Sequence, residues 1–244
     1  MTQIVGHRGA RGEAPENTLP SFAKALAAGV KRVELDLHLS ADQQLMVIHD
    51  PTLKRTTGLR GKVAEHSAAD LQRMDARLGL PGWPEPCPIP TLEQVFSNFP
   101  QIENYQLEVK SGSAAQSRIV LAAILELAER FDMQQRVVVT SSSRTLLATA
   151  RDIHYPLPTG LVEEYGLLDP LKSASRYQCT YLVLKWTLCR PARIRQAQAQ
   201  GLHVSVWTVN DIELMQRLVD MGVDSIITDY PQRAMQVVAE HNRA

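Results

Sequence analysis

The chain has 244 residues, with 26 Lys plus Arg balanced by 26 Asp plus Glu, so its formal net charge is zero. No Lys/Arg run stands out, which argues against an electrostatic footprint for nucleic acid or an anionic membrane but leaves room for a compact phosphate patch. Three scattered cysteines, Cys87, Cys179 and Cys189, with no Cys-x-x-Cys pair, suggest neither a zinc site nor a disulfide framework.

In chain order, Gln3-Ile4-Val5-Gly6 opens directly as a strand, with no basic and then apolar leader before it. Further β-branched runs at 32–38, 105–110, 136–141, 159–163, 180–185, 203–208 and 225–228 read as strands. Helical patterns lie between most of them. Leu19, Phe22, Ala23 and Leu26 form the first apolar stripe, with Thr18 as N-cap, Pro20 in the first turn and Gly29 as the stop. Ile119, Ala122, Ala123 and Leu127 mark another, and Ile212, Met215, Leu218 and Val219 a late one ending at Gly222. A last helix is expected from about Gln232 to His241. Eight alternating units are the number that closes a (β/α)8 TIM barrel, and about 250 residues is its common length. The longest apolar stretch, Ile119 to Leu127, is far short of the ~20 residues of a membrane span. A cytoplasmic protein without a membrane span or a nucleic-acid partner is expected; the sequence is silent on oligomeric state.

One run, Leu45 to His49, breaks the alternation. About five residues separate it from the preceding strand, too few for a parallel crossover, so the two runs should pair as an antiparallel hairpin. Folding about Asp42 places His49 across from Leu35 and Asp36. The Pro- and Gly-rich stretch that follows, from about 51 to 103, reads as a small cap segment inserted after this hairpin. Short helical patterns are expected in it around Ala68–Met74 and Leu92–Phe99. Its core would be too small for a separate domain, so residues 1–244 are expected to form one barrel domain.

Polar residues cluster where strands end. The first strand runs into His7-Arg8-Gly9, the second carries Glu34, Asp36 and His38 on one face, the hairpin ends at His49-Asp50, and the third strand presents Glu108 and Lys110. In a (β/α)8 barrel such carboxyl ends converge on one mouth. Three carboxylates there raise one another's pKa unless a counter-ion joins them, and a hard cation, Mg²⁺ or Ca²⁺, bound by Glu34, Asp36 and Glu108 would relieve this. His7 and His49 suit proton transfer near neutral pH, Arg8 offers a bidentate fork for phosphate, and Lys110 adds a point charge. Gly9 would let the backbone pass close to a ligand or would simply serve a turn.

His7-Arg8-Gly9 with Pro15-Glu16-Asn17-Thr18-Leu19, Glu34-Leu35-Asp36, His49-Asp50 with Thr52-Leu53 and Arg55-Thr56-Thr57, Glu108-Val109-Lys110, Val206-Trp207-Thr208-Val209-Asn210, and Gly222 to Asp229 together resemble the glycerophosphodiester phosphodiesterase family. The ordered matches span residues 6 to 231. The resemblance implies a phospholipase C-like barrel that hydrolyses glycerophosphodiesters to sn-glycerol 3-phosphate and an alcohol. It implies one divalent metal on Glu34, Asp36 and Glu108, catalytic His7 and His49, and phosphate contacts from Arg8 and Lys110. Trp207 matches an aromatic near the glycerol moiety, and Glu16 and Asn17 match the turn that holds His7 and Arg8 in place. Where many relatives have Ser-Phe, this chain has Ser141-Ser142-Ser143, which alters the expected glycerol pocket. The alcohol is expected to be selected by the cap. An apolar groove there around Leu78, Leu80 and Trp83 would favour lysophospholipids in a lysophospholipase D-like reaction. A non-catalytic phosphate-binding barrel is the remaining alternative.

Overall fold

The computed structural model describes residues 1–110 and 112–241. Its elements are β1 (Gln3–His7), α1 (Leu19–Ala27), β2 (Arg32–Leu39), β3 (Leu45–Val47), α2 (Lys54–Thr57), α3 (Ala68–Leu71), α4 (Leu92–Asn98), β4 (Asn104–Val109), α5 (Ala114–Arg130), β5 (Val137–Ser141), α6 (Arg144–Asp152), β6 (Thr159–Glu163), α7 (Pro170–Arg176), β7 (Tyr181–Lys185), α8 (Pro191–Ala199), β8 (His203–Trp207), α9 (Ile212–Asp220), β9 (Ser225–Thr228) and α10 (Pro231–His241). Single 3₁₀ turns lie at Val63–Glu65, Arg77–Gly79 and Trp186–Leu188. Eight strands run parallel in the ring order β1-β9-β8-β7-β6-β5-β4-β2, and pairing of β1 with β2 closes the ring. This is the (β/α)8 barrel that the alternation predicts, each strand lying within one residue of its expected bounds. Among the described residues no helix is long and apolar enough to cross a membrane.

The ninth strand, β3, pairs antiparallel to β2 with Leu37 opposite Val47, His38 opposite Met46 and Leu39 opposite Leu45. That register is the fold about Asp42 inferred from loop length. The Ile48 N–H extends it by donating to the Asp36 carbonyl at 3.0 Å. His38 then fixes the strand end, its Nε2 lying 2.9 Å from the His49 carbonyl oxygen. A small apolar cluster of Met46, Ile48, Leu53, Val63, Leu71 and Ile89 seats the segment after β3 on this hairpin. Helix α4, capped by Thr91 in a capping box with Gln94, instead turns Leu92, Val95 and Phe96 into the main core and supplies the crossover between β2 and β4.

The main core lies between the ring and its helices. Outward side chains of the strands, such as Val33, Leu35, Leu107, Val139, Leu161 and Val204, are fully buried there. Inside the ring, alternation reverses the chemistry. Val5, Val162, Val183 and Ile227 form an apolar plug. Beside it, Gln106, Ser205, Ser225 and His203 form a hydrogen-bonded chain, with Ser225 Oγ donating to Ser205 Oγ at 2.8 Å.

The turn from β1 to α1 is unusually tight. Thr18 caps α1 as its sequence suggests, accepting from the Ser21 N–H. Ser21 Oγ donates to the Arg8 carbonyl at 2.8 Å and accepts from the Ala10 N–H at 2.8 Å. Gly9 has φ +84°, and a Cβ there would lie 2.5 Å from Ser21 Oγ and 2.6 Å from the Ser21 carbonyl carbon. Its lack of a side chain therefore serves the approach of the turn to α1, not of a ligand to the backbone. Gly9→Ala is expected to cost about 3 kcal/mol of stability, through strained φ and overpacking together. Urea denaturation checks this, and an unchanged midpoint would show that the turn can relax.

Candidate active site

The carboxyl ends of the strands surround a cavity of about 420 Å³. His7, Arg8, Glu34, His49, Glu108, Lys110 and Trp207 line it, and Asp36 lies fully buried. Seven of the eight residues singled out in the sequence thus come together because β1, β2 and β4 are neighbours in the ring and the β3 hairpin ends beside them, and Trp207 joins them from the end of β8.

Glu34, Asp36 and Glu108 each offer a carboxylate oxygen within 4.8 Å of the others. Register explains this, since Asp36 pairs directly with Glu108 across β2 and β4. Burial and the charges of Asp36 and Glu108 push the Glu34 carboxyl well above its ordinary range. Glu108 is raised too, by burial first. Burial would raise Asp36 as well, but Arg8 and Lys110 outweigh it and hold that carboxyl far below the usual range. Lys110 Nζ lies 2.6 Å from Glu108 and 3.2 Å from Asp36 Oδ1. Asp36 Oδ1 is buried yet has no hydrogen-bond partner among the described residues. Close acids, only oxygen donors and a buried carboxylate oxygen whose one contact is the Lys110 ion pair fit a hard divalent cation.

Each histidine of the cavity is backed by an aspartate. His7 Nδ1 lies 2.6 Å from Asp229 Oδ1, leaving Nε2 to face the acids, 3.9 Å from Glu34. Burial lowers the His7 pKa from 6.5, outweighing the pull of Asp229 toward the charged form. Asn210 donates to Asp229 Oδ2 at 2.7 Å and accepts from the Asp229 N–H at 3.0 Å, which sets that carboxylate. His49 is more open and meets Asp50 Oδ1 at 2.6 Å. Sequence reading did not assign roles to Asp229, Asn210 or Asp50. The signal for Asp229 was its place just after the last barrel strand.

Arg8 has a divided duty. Its Nη1 donates to Glu16 at 2.8 Å, while Nε makes an ion-pair contact with Asp36 at 3.1 Å without a hydrogen bond. Asn17 Nδ2 donates to the other side of the site, to Asp36 Oδ2 at 3.0 Å. Glu16 is also gripped by both Nη atoms of Arg55 at 2.8 Å, and Arg55 Nε reaches Asp50 at 2.8 Å. The segment after β3 therefore contributes an ionic clamp that ties the turn of His7 to the turn of His49.

Across the ring stands a second wall, formed by Thr140, Ser142, Arg144, Val162, Glu163, Glu164 and Tyr165. Arg144 Nη2 donates to buried Glu163 at 3.0 Å. Sequence reading missed these residues and placed alcohol selection in the cap. No residue of 51–103 is among those lining the cavity, and Leu78 is exposed away from it. The physical reason is that the few apolar residues of the inserted segment pack on Met46 and Ile48, on the face of the hairpin that also carries His38, and not on the cavity. The triple serine is used in full: Ser141 Oγ donates to the Val109 carbonyl, Ser142 lines the cavity and Ser143 caps α6. Trp207 borders both the cavity and the apolar plug, with its buried Nε1 lacking a partner among the described residues.

A model of the glycerophosphoryl diester phosphodiesterase family matches residues 7–233. A glycerophosphodiester phosphodiesterase of Caldanaerobacter subterraneus subsp. tengcongensis is 30% identical over 97% of this chain and 98% of its own length. A Silicibacter pomeroyi structure superposes with a TM-score of 0.91 at 27% identity, covering 99% of this chain and 94% of that one. The Oleispira antarctica phosphodiesterase, solved with its product sn-glycerol-3-phosphate, gives a TM-score of 0.85 at 26% identity, covering 98% and 97%.

The clamp has a pH signature. Burial opposes ionisation of Glu16, but bonds from Arg55 and the charges of Arg8 and Arg55 hold its carboxyl down to about 2. A depressed carboxylate stabilises above its ordinary range near 4.5, and that contribution is lost as pH falls toward about 2. Glu16→Gln is expected to remove about 3 kcal/mol at neutral pH and to flatten this part of the acid limb. Thermal melts from neutral pH down through that window test it; parallel curves for the two proteins would contradict it.

Proposed function

The chain belongs to the glycerophosphoryl diester phosphodiesterase family and is a hydrolase of that class, and on this basis we propose that it cleaves glycerophosphodiesters to sn-glycerol 3-phosphate and an alcohol. The carrying observation is one cavity that holds a three-carboxylate cluster between two aspartate-backed histidines. The product bound by the Oleispira relative is the one this reading assigns to the present site. In the proposal one catalytic barrel spans the chain, with residues 51–103 as its inserted segment.

Glu34, Asp36 and Glu108 would hold the cation, Mg²⁺ or Ca²⁺, which when bound supplies neutralising charge for the phosphate oxygens. Lys110, half-buried at the cavity wall, adds a donor for the same oxygens. Arg8 is engaged by Glu16 and Asp36, so its first task is to keep the acids in place, with the remaining edge of its guanidinium toward phosphate. His7 is the base. Its lowered pKa leaves it neutral near pH 7, Asp229 fixes its Nδ1 as the protonated nitrogen, and Nε2 is turned into the cavity. It takes the proton of the attacking hydroxyl, whether from water or from the substrate's own glycerol. His49, nearer the rim and held by Asp50, protonates the departing alcohol. Trp207 packs against the glycerol carbons.

Three results test this reading. His7→Ala and His49→Ala are each expected to lower kcat by about 100-fold or more with saturating metal. Turnover near wild type in either would remove the acid–base assignment. Asp229→Asn keeps the shape of the residue but supports the wrong His7 tautomer, so kcat should fall by roughly 100-fold or more while KM changes little. The acid limb of kcat/KM should titrate below 6.5, because the base is a histidine with a lowered pKa. Chelation should abolish hydrolysis and readdition of Mg²⁺ or Ca²⁺ restore it; activity that survives exhaustive chelation would exclude the metal.

A further inference from the structure

The run Arg55-Thr56-Thr57 is among the ordered motifs of the sequence, yet the proposed reaction leaves it without a task. Arg55 lies in α2, a single helical turn whose place is set from both sides. Leu53 before it is fully buried in the small apolar cluster on the hairpin, and Gly58 after it ends the turn at φ +76°. Thr57 Oγ1 donates to the Leu53 carbonyl at 2.8 Å and closes the turn on itself. From this base the Arg55 guanidinium meets two carboxylates at once. Nε donates to Asp50 Oδ2 at 2.8 Å and Nη2 to Asp50 Oδ1 at 3.0 Å, so both oxygens of Asp50 are held. Nη1 and Nη2 grip both oxygens of Glu16 at 2.8 Å each.

The two ends of this bridge do not depend on it equally. Glu16 is buried and has two further cations, Arg8 Nη1 at 2.8 Å and Arg11 Nε at 3.2 Å. Asp50 is half-buried, and among the described residues Arg55 is its one Arg or Lys partner. The two histidines differ in the same way. His7 is 8% exposed at its side chain, and its Asp229 is set from two sides by Asn210. The His49 ring is 33% exposed. His38 pins the His49 carbonyl oxygen at 2.9 Å, but the ring itself is held through Nδ1 by Asp50 at 2.6 Å. Loss of Arg55 thus leaves His7 and the acids braced and frees the carboxylate behind His49. Hydrogen bonds from Arg55 also hold the Asp50 carboxyl down to about 2, which keeps it an acceptor for the ring.

We infer that Arg55 is a positioning residue for protonation of the departing alcohol, acting through Asp50 on the His49 ring. This rests on the hydrolytic reading above and on His49 as its acid. With Nδ1 taken by Asp50, Nε2 is the ring nitrogen left for the cavity that His49 lines. In the step, the bond from phosphorus to the alcohol oxygen breaks with its electron pair staying on oxygen, and the Nε2 proton passes to that oxygen. His7 has taken one proton from the attacking hydroxyl, so one proton enters, one leaves, and the net change is addition of one water. An alkoxide is too basic to depart readily without that proton, so a misaimed ring costs most for such substrates. Arginine suits the task because its planar fork offers paired donors to two carboxylates, where an ammonium has one nitrogen.

The test compares two substrates that share the glycerophosphoryl group. Glycerophosphocholine leaves as an alkoxide that needs a proton, whereas the p-nitrophenyl ester of glycerol 3-phosphate releases a nitrophenolate that does not. Arg55→Gln and Arg55→Lys are assayed beside His49→Ala in the full chain with saturating metal. On glycerophosphocholine each Arg55 variant is expected to lose about tenfold or more in kcat, with KM changed less than about twofold. On the nitrophenyl ester kcat should fall less than about threefold. Adding either Arg55 substitution to His49→Ala should slow glycerophosphocholine no further, because no ring remains to be aimed. Equal losses on both substrates, additive losses with His49→Ala, or near wild-type turnover of glycerophosphocholine overturns the proposal and leaves the hydrolytic reading standing. Wild-type turnover of the nitrophenyl ester alone also overturns it, since no leaving proton is then supplied. Failure of the wild type on both substrates removes the hydrolytic reading itself. Thermal melts establish that the variants fold; should Arg55→Gln not fold, Arg55→Lys, which keeps the charge and the stem, decides the comparison.

Discussion

Mutual repulsion of Glu34, Asp36 and Glu108 is the constraint around which this mouth is built. Three carboxylates within 4.8 Å of one another, two of them buried, are unfavourable in the folded protein by themselves. Two cations, Arg8 and Lys110, enter the cluster and pull Asp36 fully into its ionised form. Glu34 still keeps its carboxyl high, so the balance struck by side chains alone is incomplete. A hard cation would complete it, and in the proposed function the same positive charge would face the phosphate of a substrate. The instability of the cluster and its chemistry are one property.

Much of the surrounding structure answers that need. Arg8 and Asn17 sit at φ +50° and +57°, a region unfavourable for residues with side chains. Both are in the β1–α1 turn and both touch Asp36. The strain is held by Gly9 against α1, by Ser21 bridging Arg8 and Ala10, and by Glu16, which bonds Arg8 and Arg55 at once. Arg55 extends the same lattice to Asp50 and hence to His49. The inserted segment thereby reaches the chemistry by supporting its frame, through Arg55.

The mouth divides into two halves. One half, on β1, β2, β4 and the hairpin, is ionic and suits a phosphate. The facing half, on β5 to β8, carries Ser142, the Arg144–Glu163 pair, Tyr165 and Trp207, and passes outward into apolar surface. Closure of the ring makes this division possible. Strands adjacent to β1 and β2 can share one ion, while strands four places away can only face it.

Local physics made much of this legible in advance. A strand puts residues i and i+2 on one face, so Glu34 with Asp36 and Glu108 with Lys110 could be paired by eye. A five-residue loop can make only a hairpin, which placed His49, and caps and stops set the helices. Ordered motifs added Trp207. What stayed hidden depends on contacts across long stretches of chain. Asp229 meets His7 across 222 residues, and only closure of the ring between β9 and β1 makes them neighbours. The inserted segment read as a lining of the mouth because its composition does not say that its few apolar residues will pack on Met46 and Ile48. The sequence by itself determined the barrel, the acids and the histidines, because each is set by periodicity and short-range geometry. Only the tertiary structure decided which aspartate orients His7, which loops wall the cavity and where apolar surface meets it, because ring closure and packing against the hairpin fix those neighbours.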